Sequence, residues 1–361
     1  MKLTTSRQIE TIKAYEPGKP ISELEREYGI KNAVKLASNE NPIGYSLKVN
    51  EAIQNCLASM NRYPDPGAYD LSEALAKKYK VKHSNIVLGN GSDEIISLLA
   101  NAFLKTDEEA LMPLPSFLMY EICVKIAKGN PVKVPLKDFH IDFDSILEKI
   151  NPKTKMIFLT NPFNPTGDIF TEDEFLGFAE KVPDDILIIL DEAYIEFVKD
   201  ESAYNSLKNP LNDPRIVTIR TFSKAYGLAG FRLGYGVMSD EIAQILQKIR
   251  PPFNVNSLAQ SAGLAALNDT DFLNQSIEFI LKEMSFLKTE INLMGLDYLP
   301  THSNFLMVNV EKESVEVFKD LLQLGVIVKS MKSYGFDNWI RVNAGTQNEN
   351  KDFVKALKKV I

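Results

Sequence analysis

Three apolar runs in the middle of the chain constrain its fold more than any other feature. They are Met156-Ile157-Phe158-Leu159-Thr160, Ile186-Leu187-Ile188-Ile189-Leu190 and Arg215-Ile216-Val217-Thr218-Ile219-Arg220. Near-continuous apolar runs of this length are strands covered on both faces, and strands that alternate with helices build a mostly parallel sheet. In such a sheet the carboxyl ends of neighbouring strands lie side by side, and ligands bind there. Each run ends in a polar cluster: Asn161-Pro162-Phe163-Asn164-Pro165-Thr166-Gly167, Asp191-Glu192-Ala193-Tyr194 and Thr221-Phe222-Ser223-Lys224. The sequence predicts one site made from three strand ends.

The same alternation starts at about residue 46. A helix opens at Asp70-Leu71-Ser72, and Asn85-Ile86-Val87-Leu88 is a strand. A further helix begins at Ser92, with Ile95, Ile96, Leu98, Leu99, Ala102 and Phe103 as its core-facing stripe. Pro251-Pro252 ends a helix near Arg250 and starts the connection to a second domain. Beyond it the pattern predicts a long helical stretch over 257–294, strands over 304–310, 326–329 and 339–343, and a closing helix over 349–360. The expected division is an N-terminal arm and loop over 1–45, helical around 21–27 and joining the small domain. A large domain follows over 46–252 and a small C-terminal α/β domain over 253–361.

Lys224 sits among hydroxyl groups, with Arg232 a short way downstream. Thr221, Ser223 and Arg232 supply hydroxyl donors and a fork-shaped cation, the chemistry that holds a phosphate. A lysine able to form a Schiff base, next to a phosphate cradle, is what pyridoxal phosphate requires. Asp191 would pair with that cofactor's ring nitrogen, while Tyr194 and Asn164 would donate to its phenolate oxygen. The glycine-rich turn at Gly89-Asn90-Gly91-Ser92-Asp93-Glu94 leaves backbone N–H groups at a helix start, so Ser92 and Asp93 are further phosphate candidates. Asn164-Pro165 is a candidate cis turn. Alone, each of these residues has an ordinary structural role: a cap, a turn, a surface charge. Their order and shared place at strand ends assign the chemistry.

Charge and composition remove other classes. The formal net charge is −7 with no concentrated basic run, which disfavours nucleic-acid and polybasic membrane roles. Apolar stretches are strand-sized, and the first residues lack a secretory apolar region. Cys56 and Cys123 have no metal or redox spacing and read as buried reduced thiols of a cytoplasmic protein. His83, His140 and His302 are scattered, so neither a metal site nor a Ser-His-Asp arrangement is expected; His140 reads as a turn or capping residue.

These motifs resemble the fold-type I pyridoxal-phosphate aminotransferases, and within them the histidinol-phosphate aminotransferase branch. The similarity spans essentially the whole chain. It is carried further by Ala14-Tyr15-Glu16-Pro17-Gly18, Leu36-Ala37-Ser38-Asn39-Glu40-Asn41-Pro42, Arg62-Tyr63-Pro64-Asp65 and Trp339-Ile340-Arg341-Val342-Asn343. The resemblance implies an α/β fold with a large, mostly parallel sheet and a smaller C-terminal domain. It implies that Phe117 stacks on the cofactor ring, and that Tyr63 reaches the cofactor phosphate of a neighbouring subunit in a homodimer. Arg341 becomes the clamp for a substrate carboxylate or equivalent anion, with Tyr15 and Asn39 beside the substrate. Lys329 stands where such enzymes commonly carry a second arginine; it keeps the charge and loses the bidentate fork. The implied reaction moves an amino group from histidinol phosphate to 2-oxoglutarate in two half-reactions, in histidine biosynthesis. Two alternatives share the cofactor residues: an aromatic amino-acid aminotransferase, and a decarboxylase related to the threonine-phosphate decarboxylases.

Overall fold

The structure, a computed structural model, describes residues 5–12, 26, 29, 30, 32–208, 210 and 213–361. A short strand, β1 (Val34–Lys35), precedes the main sheet. That sheet has seven strands: β2 (Ile86–Gly89), β3 (Glu109–Leu114), β4 (Asn130–Pro135), β5 (Thr154–Thr160), β6 (Leu187–Asp191), β7 (Ile216–Thr221) and β8 (Gly234–Val237). Their spatial order is β2-β8-β7-β6-β5-β3-β4. All neighbours run parallel except β8, which is antiparallel to both β2 and β7. The three apolar runs are β5, β6 and β7, adjacent as expected.

Alternate residues of these strands enter different cores, because successive side chains of a strand point to opposite faces. Met156, Phe158, Ile189, Val217 and Ile219 pack with the helices Ser92–Phe103, Leu118–Ile126 and Asp240–Ile249. Ile157, Leu159, Ile188 and Leu190 pack on the other face, with Phe175 and Phe178 of the helix Glu172–Ala179. Burial on both faces explains why the strands read as continuous apolar runs.

A second, smaller set of strands follows: β9 (Phe305–Asn309), β10 (Val326–Ile327), β11 (Lys329–Ser330) and β12 (Trp339–Asn343). β11, β12 and β9 form an antiparallel sheet, while β10 pairs in parallel with β1. Their core contains Phe305 and Val342 together with Ile277, Met284 and Leu287 of the helix Thr270–Leu293, and Phe353 of the helix Gln347–Val360. Among the described residues, no helix is long and apolar enough to cross a membrane.

Three expectations change. The stretch 257–294 is two helices, Ser257–Leu267 and Thr270–Leu293, separated at Asn268-Asp269. Asp269 accepts from the Phe272 N–H as the second helix's cap, and its carboxylate also takes the Ser46 hydroxyl and the Lys48 ammonium. The run 326–329 is divided between two sheets, Val326–Ile327 pairing with β1 and Lys329–Ser330 with β12. The cis peptide after β5 is Asn161–Pro162 rather than Asn164–Pro165. Of the helix expected around 21–27, only Arg26 is among the described residues, and it is helical.

Candidate active site

Strand parity puts Thr160, Asp191 and Thr221 on the face covered by the helix Ser92–Phe103, at the carboxyl ends of β5, β6 and β7. They form the floor of a cleft of about 420 Å³. Asp191 is buried. Its carboxylate accepts from the Tyr120 hydroxyl at 2.7 Å and from the Ala193 N–H at 3.1 Å. Burial is the main reason that its pKa rises to about 6. Tyr120 is held in place by stacking on Phe158 at 4.7 Å, and its hydroxyl also meets Thr160 at 2.8 Å. Sequence reasoning missed Tyr120, which reads as an ordinary core residue of an amphipathic helix.

Lys224 lies three residues beyond β7 and lines the cleft. Its ammonium donates to the Ser38 carbonyl at 3.0 Å and lies over the Tyr194 ring at 5.7 Å. Burial first, and then the charge of Arg341, lower its pKa to about 8. Beside it Thr221 Oγ1 donates to Ser223 Oγ at 3.0 Å. The helix Ser92–Phe103 opens at Gly91 without a side-chain cap, so its first amides face the cleft's edge unclaimed by a capping side chain. Gly91 has φ +83°, and a Cβ there would come within 2.6 Å of Arg232 Nη2. Arg232 itself is left-handed (φ 56°) and donates to the Asp93 carboxylate at 3.4 Å. Ser92, Asp93, Ser223 and Arg232 all line this cleft, forming a cradle for a tetrahedral anion.

The rim is assembled from further away. The Tyr194 oxygen receives Asn39 Nδ2 at 3.0 Å and Asn164 Nδ2 at 3.4 Å. Burial pushes its phenol pKa up. Arg341 donates through Nη1 to Asn164 Oδ1 at 2.5 Å and through Nη2 to the Ala37 carbonyl at 3.2 Å. Its guanidinium lies over the Phe305 ring at 5.1 Å, and its buried Nε has no partner among the described residues. Lys329 is half-buried and directly opposite Arg341 in register, so both cations share a face of the small sheet.

Of the sequence candidates, Ser92, Asp93, Phe117, Asn164, Asp191, Tyr194, Thr221, Ser223, Lys224 and Arg232 line the cleft. Asn39 and Arg341 adjoin it through Tyr194 and Asn164. Tyr63 does not line it: its exposed ring stacks on Phe253 at 4.6 Å. Tyr15 lies outside the described residues. His140 holds a turn, bonded to Asp168 at 2.7 Å; both cysteines are free thiols, but only Cys123 is buried as expected, Cys56 being half-exposed on its helix.

A lysine of lowered pKa, an anion cradle and a buried carboxyl, gathered at the end of one mostly parallel sheet, suit a phosphorylated aromatic aldehyde, and the residues present fit pyridoxal phosphate. The chain belongs to the family described as Aminotransferase class I and II, whose profile matches residues 31–357. It is 46% identical over 359 residues to histidinol-phosphate aminotransferase 2 of Carboxydothermus hydrogenoformans, covering 98% of both chains. It is likewise 46% identical to the histidinol-phosphate aminotransferase of Desulfotalea psychrophila, over 99% of this chain and 95% of the relative. A solved structure, histidinol-phosphate aminotransferase from Sinorhizobium meliloti in complex with pyridoxal 5'-phosphate, superposes with a TM-score of 0.90. The two share 27% identity, over 99% of this chain and 97% of that one.

Proposed function

We propose that the protein is a pyridoxal-phosphate-dependent aminotransferase that takes its amino group from histidinol phosphate and delivers it to 2-oxoglutarate. The observation that carries this reading is Lys224: a half-buried amine whose pKa is lowered to about 8, lining one cleft with the Asp191 carboxyl and the anion cradle. When bound, pyridoxal phosphate supplies an aldehyde that condenses with amines and a ring that accepts carbanion charge.

The chain's residues supply the rest. The amides of Ser92 and Asp93, with Thr221, Ser223 and Arg232, hold the phosphate. Phe117 and Ala193 give the cleft its apolar lining for a ring. Asp191, oriented by Tyr120, holds a proton at the ring nitrogen, while Tyr194 and Asn164 donate at the ring's oxygen side. Lys224 Nζ, as the free amine, would take a proton from the substrate's amine-bearing carbon and return it two atoms along, on the far side of the nitrogen. Its lowered pKa leaves a usable neutral fraction near pH 7.

Arg341 and Lys329 receive the anion of each substrate, the phosphate of histidinol phosphate and then a carboxylate of 2-oxoglutarate. The unpartnered Arg341 Nε supports that role, since a fork–fork anion pair would satisfy it. A homodimer belongs to the same reading, with Tyr63 reaching the partner's cofactor phosphate. Tyr63 and Leu47 are each 81% exposed, apolar side chains that a second copy would cover. So do the arm over 1–45, the larger domain over 46–252, the smaller over 253–361, and a cytoplasmic setting for the free thiols.

The test is direct: purified protein loaded with pyridoxal phosphate is offered histidinol phosphate and phenylalanine separately, and oxo-acid formation is followed. Higher kcat/KM for histidinol phosphate is expected. Preference for phenylalanine would leave the chemistry in place and overturn the substrate. Carbon dioxide release from an amino acid would point to a decarboxylase.

A further inference from the structure

Three consecutive residues near the N-terminus hand their backbone carbonyls to three different groups of the site. Ala37 accepts from Arg341 at 3.2 Å, Ser38 from Lys224 at 3.0 Å, and Asn39 from Asn304 Nδ2 at 3.1 Å. The Asn39 N–H is also held, by Asn343 Oδ1 at 3.0 Å. Asn39 is thus gripped by both backbone groups in a left-handed conformation (φ 55°), which asparagine tolerates better than most residues. Gripped there, its side chain makes one hydrogen bond among the described residues, from Nδ2 to the Tyr194 hydroxyl at 3.0 Å, while its buried Oδ1 has no partner among them.

The orientation of these amides follows from what they face. Asn343 meets a backbone N–H and must present oxygen, while Asn304 meets a backbone carbonyl and must present nitrogen. Asn164 receives Arg341 on its oxygen and so turns its nitrogen to Tyr194. The Tyr194 oxygen meets two donors, Asn39 Nδ2 at 3.0 Å and Asn164 Nδ2 at 3.4 Å, so neither of these amide nitrogens can take its hydrogen. Its own hydrogen is left to point into the cleft that Tyr194 lines.

We infer that Asn39 is a positioning residue that sets the direction of the Tyr194 O–H, with Asn343 and Asn304 holding it in place. Asn39 then acts on the chemistry through Tyr194 instead of by touching substrate. The inference rests on the pyridoxal-phosphate reading. A hydrogen bond from Tyr194 to an anionic cofactor oxygen opposes protonation of that oxygen and of the lysine-bound nitrogen coupled to it.

The experiment is a pH titration of the visible absorbance of the loaded protein, alongside thermal melts of the cofactor-free form. Asn39→Gly keeps the left-handed backbone and removes the amide without adding charge. The expected result is an upward move of the absorbance midpoint by about half to one pH unit, the scale of one lost hydrogen bond. Asn343→Ala should move it the same way by less. In a Tyr194→Phe background, Asn39→Gly should add no further shift, because both changes remove one effect.

A downward shift in Asn39→Gly would mean that Asn39 draws the hydroxyl hydrogen away from the cleft, and would overturn the inference. So would an unmoved midpoint with only a higher KM or a lower melting temperature. If Asn39→Gly fails to fold, Asn39→Asp in both backgrounds decides. Its carboxylate can only accept from Tyr194, so the upward shift should be larger with Tyr194 present than with Phe; equal shifts would overturn the inference. A wild-type protein with no visible band after loading, or a band that titrates with an unchanged midpoint in Lys224→Ala, would instead overturn the cofactor reading.

Discussion

The floor of the cleft and its rim are built on different plans. Floor residues Thr160, Asp191 and Thr221 end three adjacent strands, and sheet hydrogen bonding with burial on both faces places them. The rim joins Asn39, Asn164, Tyr194, Arg341 and Asn343 by side-chain hydrogen bonds, one of them between residues 304 positions apart. Such bonds contribute about 1 kcal/mol each, so the rim is adjustable where the floor is not. Changes in the floor should stop the chemistry or unfold the sheet. Changes in the rim should alter recognition while the reaction continues.

The largest effect is expected at Lys224. Lys224→Ala should lower kcat by about a thousandfold or more and abolish the pH-dependent shift of the cofactor band, without unfolding the protein. Normal turnover in that variant would break the comparison at its base.

Beneath the floor, on the opposite face, Arg220 and Glu192 form a buried pair at 2.6 Å, directly following the parity of Asp191 and Thr221. Arg220→Met alone should destabilise the protein by about 3–5 kcal/mol, measured by urea unfolding. Replacing both partners with apolar residues of similar volume should recover much of that loss. Equal destabilisation by the single and double variants would show that the pair is not what secures the floor.

Asp191→Asn should reduce kcat by about a hundred- to a thousandfold with little change in KM. It also carries a pH signature. In the folded protein the Asp191 pKa is raised from 3.8 to about 6, so the folded state binds its proton more tightly than the unfolded state does. Stability from this group is present below about pH 4 and is lost as pH rises through about 6. Cofactor-free Asp191→Asn should lack that loss, by at most about 3 kcal/mol, when unfolding midpoints of the two proteins are compared from pH 4 to 8.

The smallest change belongs to the rim. Arg341→Lys keeps the charge and loses the fork. KM for both substrates should rise roughly tenfold to thirtyfold with kcat much less affected. A kcat effect as large as that of Asp191→Asn would erase the distinction between the two regions.

The same difference in plan explains what the sequence could convey. A strand buried on both faces writes itself as an unbroken apolar run, so β5, β6 and β7 were legible, and with them every floor residue that follows within a few positions. Tyr120 was not, because a fully buried aromatic on a helix looks the same whether or not its hydroxyl meets a carboxylate on another element. The carbonyls of Ala37 and Ser38 leave no side-chain signal at all. Asn343 reads as the end of a strand until its distant partner is known. The break at Asn268-Asp269 was written in plain cap residues, yet apolar periodicity on both sides concealed it.

The pairing of β1 with β10 has a consequence for how the protein is made. Residues 34–39 emerge from the ribosome early, whereas Asn343, which holds Asn39, comes 304 positions later. At ordinary synthesis rates that interval is about 15–60 s. Throughout it the main sheet can form, but the wall opposite Lys224 is missing, and neither Ala37 nor Asn39 has its anchor. A chain cut short before β12 would keep its most recognisable residues and lack a closed site. The site therefore closes only once the last strand, with Arg341 and Asn343, has joined the residues made first.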